Sequence, residues 1–169
     1  MENKTALRLH YKSIRKTLDR NLASQIIVEK IKNLDIYKTS KNIMLFYPMT
    51  HEIDLRELTN DCSKNFYYPR VSGENLLVCP NNNEYIKSKF GVLEPTSNPV
   101  NPEILDLIFV PALAVDKNFY RLGYGGGYYD RFLQNYHLIT TVTPIFKELT
   151  TEKLPTEDFD KPINYIVTD

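Results

Sequence analysis

The chain of 169 residues contains no tryptophan, two cysteines, three histidines and three methionines. Two isolated thiols, Cys62 and Cys79, with no CxxC pair, exclude a disulfide scaffold and a structural zinc cluster. His10, His51 and His137 do not cluster, and no chemistry is assigned to them. No apolar run is long enough to span a bilayer and no secretory leader is read, so a soluble, cytoplasmic protein is expected. Charge of either sign is not in excess: 21 Lys and Arg balance 21 Asp and Glu. That balance removes the broad basic field that nucleic-acid binding requires. Glycine is scarce, at six residues, yet four of the six fall between positions 123 and 127. Tyrosine is abundant by contrast, at 12 residues, and suits packing or stacking around a polar ring.

The glycines lie in Gly123-Tyr124-Gly125-Gly126-Gly127-Tyr128-Tyr129-Asp130, with Arg121 before them and Arg131 after. Upstream, Leu105 to Val110 reads as a buried strand closed by Pro111. Downstream, Tyr128, Phe132, Leu133 and Tyr136 have helical spacing. A glycine loop that opens a helix presents bare N–H groups at the positive end of the helix dipole, which suits phosphate. Flanking arginines can add charge-assisted hydrogen bonds. A plain flexible turn is the alternative reading. The segment is not a P-loop, since no Lys-Ser or Lys-Thr pair follows. It is not a dinucleotide fingerprint either, since no acidic residue closes a second strand about 20 residues on.

The periodicity elsewhere predicts an α/β protein. Leu7, Tyr11, Ile14 and Leu18 mark a first helix, whose basic stripe of Lys4, Arg8, Lys12, Arg15, Lys16 and Arg20 is read mostly as a solvated face. Asp19 or Asn21 caps a second helix bearing Leu22, Ile26, Ile27, Ile31 and Leu34. Strands are expected at Ile43–Tyr47, Phe66–Pro69, Leu76–Cys79, 105–110, Leu138–Ile145 and Ile163–Val167. A short helix is expected from Asp54 or Leu55 to about Cys62, and loops over 80–102. Strands alternating with helices imply a single domain over 1–169: a mostly parallel sheet, helices on both faces and the glycine loop between a strand and a helix. Ligands gather beyond the carboxyl ends of such strands. The segments after Tyr47, Val110 and Ile145 should therefore share one crevice, bringing together Glu52, the glycine loop, Lys147 and Glu148.

The stretch from Phe109-Val110-Pro111-Ala112-Leu113-Ala114-Val115-Asp116 through Tyr120-Arg121-Leu122 to the glycine segment resembles the signature of the 5-formyltetrahydrofolate cyclo-ligase family, also called methenyltetrahydrofolate synthetases. Lys4-Thr5-Ala6-Leu7-Arg8, Glu52-Ile53-Asp54, Tyr68-Pro69-Arg70 and Gly91-Val92-Leu93-Glu94-Pro95 resemble further family segments in order and spacing. The tail, with Pro155, Glu157, Asp160 and Thr168-Asp169, resembles the family's C-terminal pattern. Four positions depart from it. Asn164 and Leu149 stand where Asp and Gln are usual, and Ala112 and Val115 where Gly and Phe are common. The first two bear on the nucleotide or metal end of the site.

The resemblance implies an ATP- and Mg²⁺-dependent enzyme that converts 5-formyltetrahydrofolate to 5,10-methenyltetrahydrofolate, ADP and phosphate. It implies catalytic roles for Lys4, Glu52 and Arg121. Nucleotide contacts fall to Lys4, Arg8, Arg121, Gly123, Gly125, Gly126, Gly127, Tyr128, Tyr129, Asp130 and Lys147. Glu52 is expected to bind the folate. Tyr47, Met49, Phe90 and Tyr120 are candidates to clamp the pterin, with core packing an open alternative for each. Asp130 and Asp160 are candidate Mg²⁺ ligands, and Asp130 could instead cap nearby backbone. The expected assembly is a monomer, with a homodimer as the alternative, binding neither nucleic acid nor membrane. Competing readings are a phosphosugar isomerase or acyl-transferase-like enzyme, and an inactive nucleotide- or folate-binding protein.

Overall fold

Asn3 opens the first helix by accepting a hydrogen bond from the Thr5 N–H, and α1 runs Lys4–Arg15. Asp19 caps α2, Arg20–Asn33, through the N–H groups of Asn21 and Leu22. A short α3, Asp35–Thr39, leads to β1, Asn42–Met44. A 3-10 turn at Arg56–Asn60 stands where a short helix is predicted. β2 (Asn65–Ser72) and β3 (Asn75–Pro80) form a hairpin whose turn carries Gly73 at φ 60°. Then come β4 (Tyr85–Lys87), β5 (Leu93–Pro95), β6 (Leu107–Phe109), β7 (Ala114–Asp116) and β8 (Arg121–Leu122). The glycine segment opens α4, Tyr128–Asn135, followed by β9 (Thr140–Ile145), β10 (Thr150–Thr151) and β11 (Tyr165–Thr168). This computed structural model describes residues 3–169; residues 1 and 2 of the expected domain lie outside the described residues.

Six strands form the central sheet in the order β11-β9-β6-β1-β2-β3. Every neighbour pairing is parallel except the β2–β3 hairpin. Its strands are apolar on both faces because both faces are covered. Ile43 and Leu45 face the core under α1 and α2, while Met44 faces the core under α4. Leu107 and Phe109 alternate with Ile108 in the same way. On α2 the buried residues are Ala23, Ile27, Val28 and Ile31, whereas Leu22 and Ile26 point outward.

Two findings depart from the sequence reading. The loop-rich stretch 80–102 contains the β4–β5 ribbon and a bridge between Val78 and Val100. The segment after Pro111 builds a second sheet, β10-β7-β8. Buried Asp116 fastens that sheet by accepting N–H bonds from Asn118, Tyr120 and Leu154. Strands of two or three residues leave no measurable periodicity, so neither feature was readable in sequence.

Candidate active site

The chain leaves central β1 toward β2 on one side and reaches β6 and β9 on the other, which makes a topological switch point at β1 and β6. Residues just beyond the carboxyl ends of β1, β6 and β9 meet there, as expected. Phe46, Glu52, Pro111, Ala112, Phe146 and Leu149 line a small cavity with Arg15 of α1. The cavity holds about 10 Å³, roughly one water.

Glu52 is the polar centre of this crevice and is only 5% exposed. One carboxylate oxygen accepts the Met49 N–H at 2.7 Å, and the other accepts the Tyr124 hydroxyl. Arg15 Nη1 donates to that same Tyr124 oxygen at 2.5 Å and lies 3.9 Å from the carboxylate. Burial pushes the Glu52 carboxyl above the usual range, against the pull of the Met49 N–H, the Tyr124 hydroxyl and the charges of Arg15 and Arg20. Burial and the Glu52 charge together push the Tyr124 hydroxyl well above its ordinary value, so it remains the proton donor at neutral pH. Tyr129, half-buried as a residue, has its hydroxyl raised by desolvation and by Glu52, with Arg121 opposing.

Sequence reasoning missed Arg15 and Tyr124. Arg15 was assigned to a solvated stripe, but it is buried, because α1 lays this face on the crevice. A signal existed: Lys4, Arg8, Tyr11 and Arg15 follow an i, i+4, i+7, i+11 spacing and so share one face. That face runs from Lys4 to the Glu52 pocket.

The glycine loop lies beside the same helix. Gly125 has φ 102° and Gly127, the N-cap of α4, has φ 66°. Both values belong to the region that glycine enters without steric cost. Arg8 Nε donates to the Gly123 carbonyl at 2.9 Å, and its guanidinium lies 3.3 Å from where a Cβ on Gly125 would stand. Arg131 bonds the Gly126 and Glu74 carbonyls and stacks on Tyr128. Arg121 is buried, 3.0 Å from Asp130, and donates to the Lys161 carbonyl. The flanking arginines therefore brace the protein itself in this structure, and Arg8 is the one laid along the loop.

Lys4 meets the tail. Its ammonium lies 2.7 Å from Asp160 and 3.2 Å from Glu157, with the Phe159 ring 5.6 Å away. Asp160 and Asp130, the two candidate metal ligands, are thus each held by a cation, Lys4 and Arg121 respectively. Asp130 also accepts the Lys161 N–H, which places both carboxylates against the 160–161 segment. No group of three His, Cys, Asp or Glu side chains converges among the described residues. Such a donor set fits Mg²⁺ held chiefly by phosphates and water with one or two carboxylates, and does not fit a protein cage.

The remaining candidates do not line the cavity, and Lys147 and Glu148, expected there, are exposed just past it. Lys147 follows β9, exposed, 3.7 Å from Asp169. Tyr47, just past β1, packs on Tyr68 and Tyr85 and carries Arg56 over its ring. Met49 reaches Glu52 through its backbone, and Tyr120 pairs by backbone with Asp116 in the β7–β8 turn. Phe90, 52% exposed, meets the edge of Tyr128.

Asn164 corrects one reading. Its side-chain oxygen accepts the N–H and hydroxyl of Thr141, just before β11 and at the amino end of the strands. That is the end of the sheet opposite the crevice, so this departure touches none of the candidate nucleotide or metal residues. Leu149, the other departure, is fully buried in the cavity wall.

Comparison with known proteins identifies the family. The family profile of 5-formyltetrahydrofolate cyclo-ligases matches residues 1–169. A 5-formyltetrahydrofolate cyclo-ligase of Haemophilus influenzae is 31% identical over 168 residues, covering 86% of this chain and 85% of the relative. The mouse protein of the same name is 28% identical, covering 85% and 81%. The NMR structure of Aquifex aeolicus 5,10-methenyltetrahydrofolate synthetase superposes with a TM-score of 0.84 at 31% identity, covering 97% of this chain and 88% of that one. The 5,10-methenyltetrahydrofolate synthetase from Mycoplasma pneumoniae, at 22% identity and a TM-score of 0.81, shares the fold over 100% and 99% of the two chains. A switch-point crevice with a buried glutamate, a glycine-opened helix and a whole-length profile match lead to one conclusion: the chain belongs to the 5-formyltetrahydrofolate cyclo-ligase family.

Proposed function

We propose that this protein cyclises 5-formyltetrahydrofolate to 5,10-methenyltetrahydrofolate at the expense of ATP, with Glu52 at the folate end of the crevice and the α1–glycine-loop edge at the nucleotide end. The observation that carries the reading is Glu52: a buried, fully hydrogen-bonded carboxylate at the switch point of a family member. The formamide oxygen attacks the γ-phosphorus and ADP leaves. N10 then attacks the activated carbon and gives up its proton. The oxygen departs as phosphate, and the ring closes as a methenyl cation.

Glu52 accepts N–H groups of the folate and stabilises the positive charge that develops as the ring closes. Lys4, Arg8, Arg121, Lys147 and the loop from Gly123 to Gly127 hold the triphosphate. Tyr128 and Tyr129 border it at the start of α4. Tyr47, Met49 and Tyr120 flank the pterin. Mg²⁺ would be held by Asp130 and Asp160 with phosphate oxygens, and it supplies charge neutralisation on the transferring group. Lys4 must exchange Asp160 and Glu157 for phosphate to take its part. One domain acting as a monomer in the cytoplasm suffices for this chemistry, and size-exclusion chromatography separates that state from a homodimer.

The test is spectroscopic. Protein, ATP, Mg²⁺ and 5-formyltetrahydrofolate should develop the near-ultraviolet band of the methenyl product, and omission of ATP should abolish it. Product formation at an equal rate without nucleotide overturns the mechanism.

A further inference from the structure

Tyr124 belongs to two structures at once. Its hydroxyl occupies one oxygen of Glu52, the acceptor assigned above to the folate. Its backbone sits between Gly123 and Gly125, the two residues on which Arg8 is laid. Its ring is faced by Arg15 at 5.5 Å and Lys12 at 5.9 Å, both on α1. Behind it, Arg15 Nε is buried and has no hydrogen-bond partner, although the residue is only 7% exposed and lines the cavity. A buried donor without an acceptor is costly, by about 1–3 kcal/mol in general, and marks a place where a ligand group can improve the site.

We infer that Tyr124 is a positioning residue shared by the two substrates: its hydroxyl occupies the folate acceptor until it is displaced, and its displacement loosens the loop that receives the nucleotide. The inference rests on the proposed cyclo-ligase reading. Glu52 is buried with a donor on each oxygen, and of the two the Tyr124 hydroxyl is the side-chain donor that can move, so folate N–H groups reach the carboxylate by replacing it. The side chain must then swing away, and Gly123 and Gly125 supply the backbone freedom for it. From the other side, phosphate claiming Arg8 breaks the Arg8–Gly123 bond and frees the same loop. Each substrate needs a movement that the other has already made, so each tightens the other's binding, and by an equal factor. Arg15, released from Tyr124, turns its unpartnered donor and its charge to the polar rim of the incoming ring.

Calorimetry on the full chain tests this. The Kd of 5-formyltetrahydrofolate is measured with and without a non-hydrolysable ATP analogue and Mg²⁺, for wild type and Tyr124→Phe. Wild type should bind folate about ten-fold more tightly with the analogue present, a typical coupling between sites. Tyr124→Phe should bind folate several-fold more tightly without nucleotide, and its coupling factor should fall to within about two-fold of unity. An unchanged coupling factor in Tyr124→Phe, or none in wild type, overturns the inference while leaving the activity intact. Absence of folate binding in wild type overturns the functional reading and this inference with it. If Tyr124→Phe fails to fold, hydrogen exchange on wild type decides the matter. Folate alone should accelerate exchange across 123–127, and an unaltered loop overturns the gate.

Discussion

Two charged clusters lie along one face of α1 and are built on opposite plans. Near its end, buried Arg15 and Glu52 meet half-buried Tyr124 through bonds that span 109 and 72 positions of sequence. At its start, Lys4 meets Asp160 and Glu157 in a part-exposed pair, where the Glu157 side chain is 53% accessible. The first cluster is desolvated, and in the free protein the Met49 N–H, the Tyr124 hydroxyl and Arg15 all face the Glu52 carboxylate. In the second, Lys4 and Asp160 keep 18% and 13% of their side chains accessible, and only the Glu157 arm is well screened by water. On the proposed reading, a site that binds one ring and then releases a changed polyphosphate draws on both plans: a buried acceptor for the ring and an exchangeable cation for the phosphate.

The comparison can be broken most forcibly at Glu52. Glu52→Gln keeps the size but removes the charge. We expect kcat/KM for folate to fall by about 100-fold or more, the scale of a lost charged, buried hydrogen bond, with the Kd of an ATP analogue measured without folate changed less than about two-fold. Weakened nucleotide binding with intact folate affinity would move Glu52 to the wrong end of the crevice. The same variant has a pH signature. Burial raises the Glu52 carboxyl in the folded state, so the folded chain holds that proton more tightly than the unfolded one. The stability it contributes is present below the unfolded value of about 4.3 and is lost as pH rises through the folded value. The Tm of Glu52→Gln minus that of wild type should therefore rise with pH over that window. Asp54, two residues on, has the opposite sign. Burial pushes it up, but hydrogen bonds and charge from Arg56, with Arg20 behind, outweigh burial and hold it low.

Gly125→Val tests the loop by geometry. The residue sits at φ 102° and its new Cβ would stand 3.3 Å from the Arg8 guanidinium carbon. A β-branched side chain there stores about 1–3 kcal/mol of strain and displaces Arg8, so analogue binding should weaken about ten-fold or more in calorimetry. Binding as tight as wild type would reduce the loop to a turn.

Lys4→Ala addresses the exchangeable cluster. Turnover should fall about ten-fold, with a proportionately smaller drop in melting temperature, since one arm of the Lys4 cluster is exposed. A fully active variant would make the start of α1 a scaffold. The smallest effect is expected at the far end of the sheet. The Asn164 side chain acts through its oxygen alone, its backbone N–H also donating to Thr141, and a carboxylate can accept the same two Thr141 bonds. Asn164→Asp should leave turnover and its Mg²⁺ dependence unchanged and shift stability by under about 0.5 kcal/mol.

Much of the fold was legible because its signals are local. Asp19 caps α2 from the adjacent residues, and the Ser72–Asn75 turn closes β2 on β3. The apolar run at 43–47 announced a buried strand, although regular pairing with β2 and β6 ends at Met44, where the chain turns into the crevice. Four clustered glycines announced the start of α4. The β10-β7-β8 sheet was not legible, because its strands are too short to show a period and Asp116 holds them together from a distance.

The parallel sheet, the helix-opening glycines and the family were readable before folding, since apolar period, turn chemistry and motif spacing all act over a few residues. Which charges work together depends on the folded chain. In sequence Arg15 reads like the exposed Lys12 and Lys16 beside it, yet folding takes it from water and places it against Tyr124 and Glu52. Burial, and the partners it forces together, are properties of contacts made across the whole chain, and the desolvation that sets the character of Glu52 exists only once those contacts have formed.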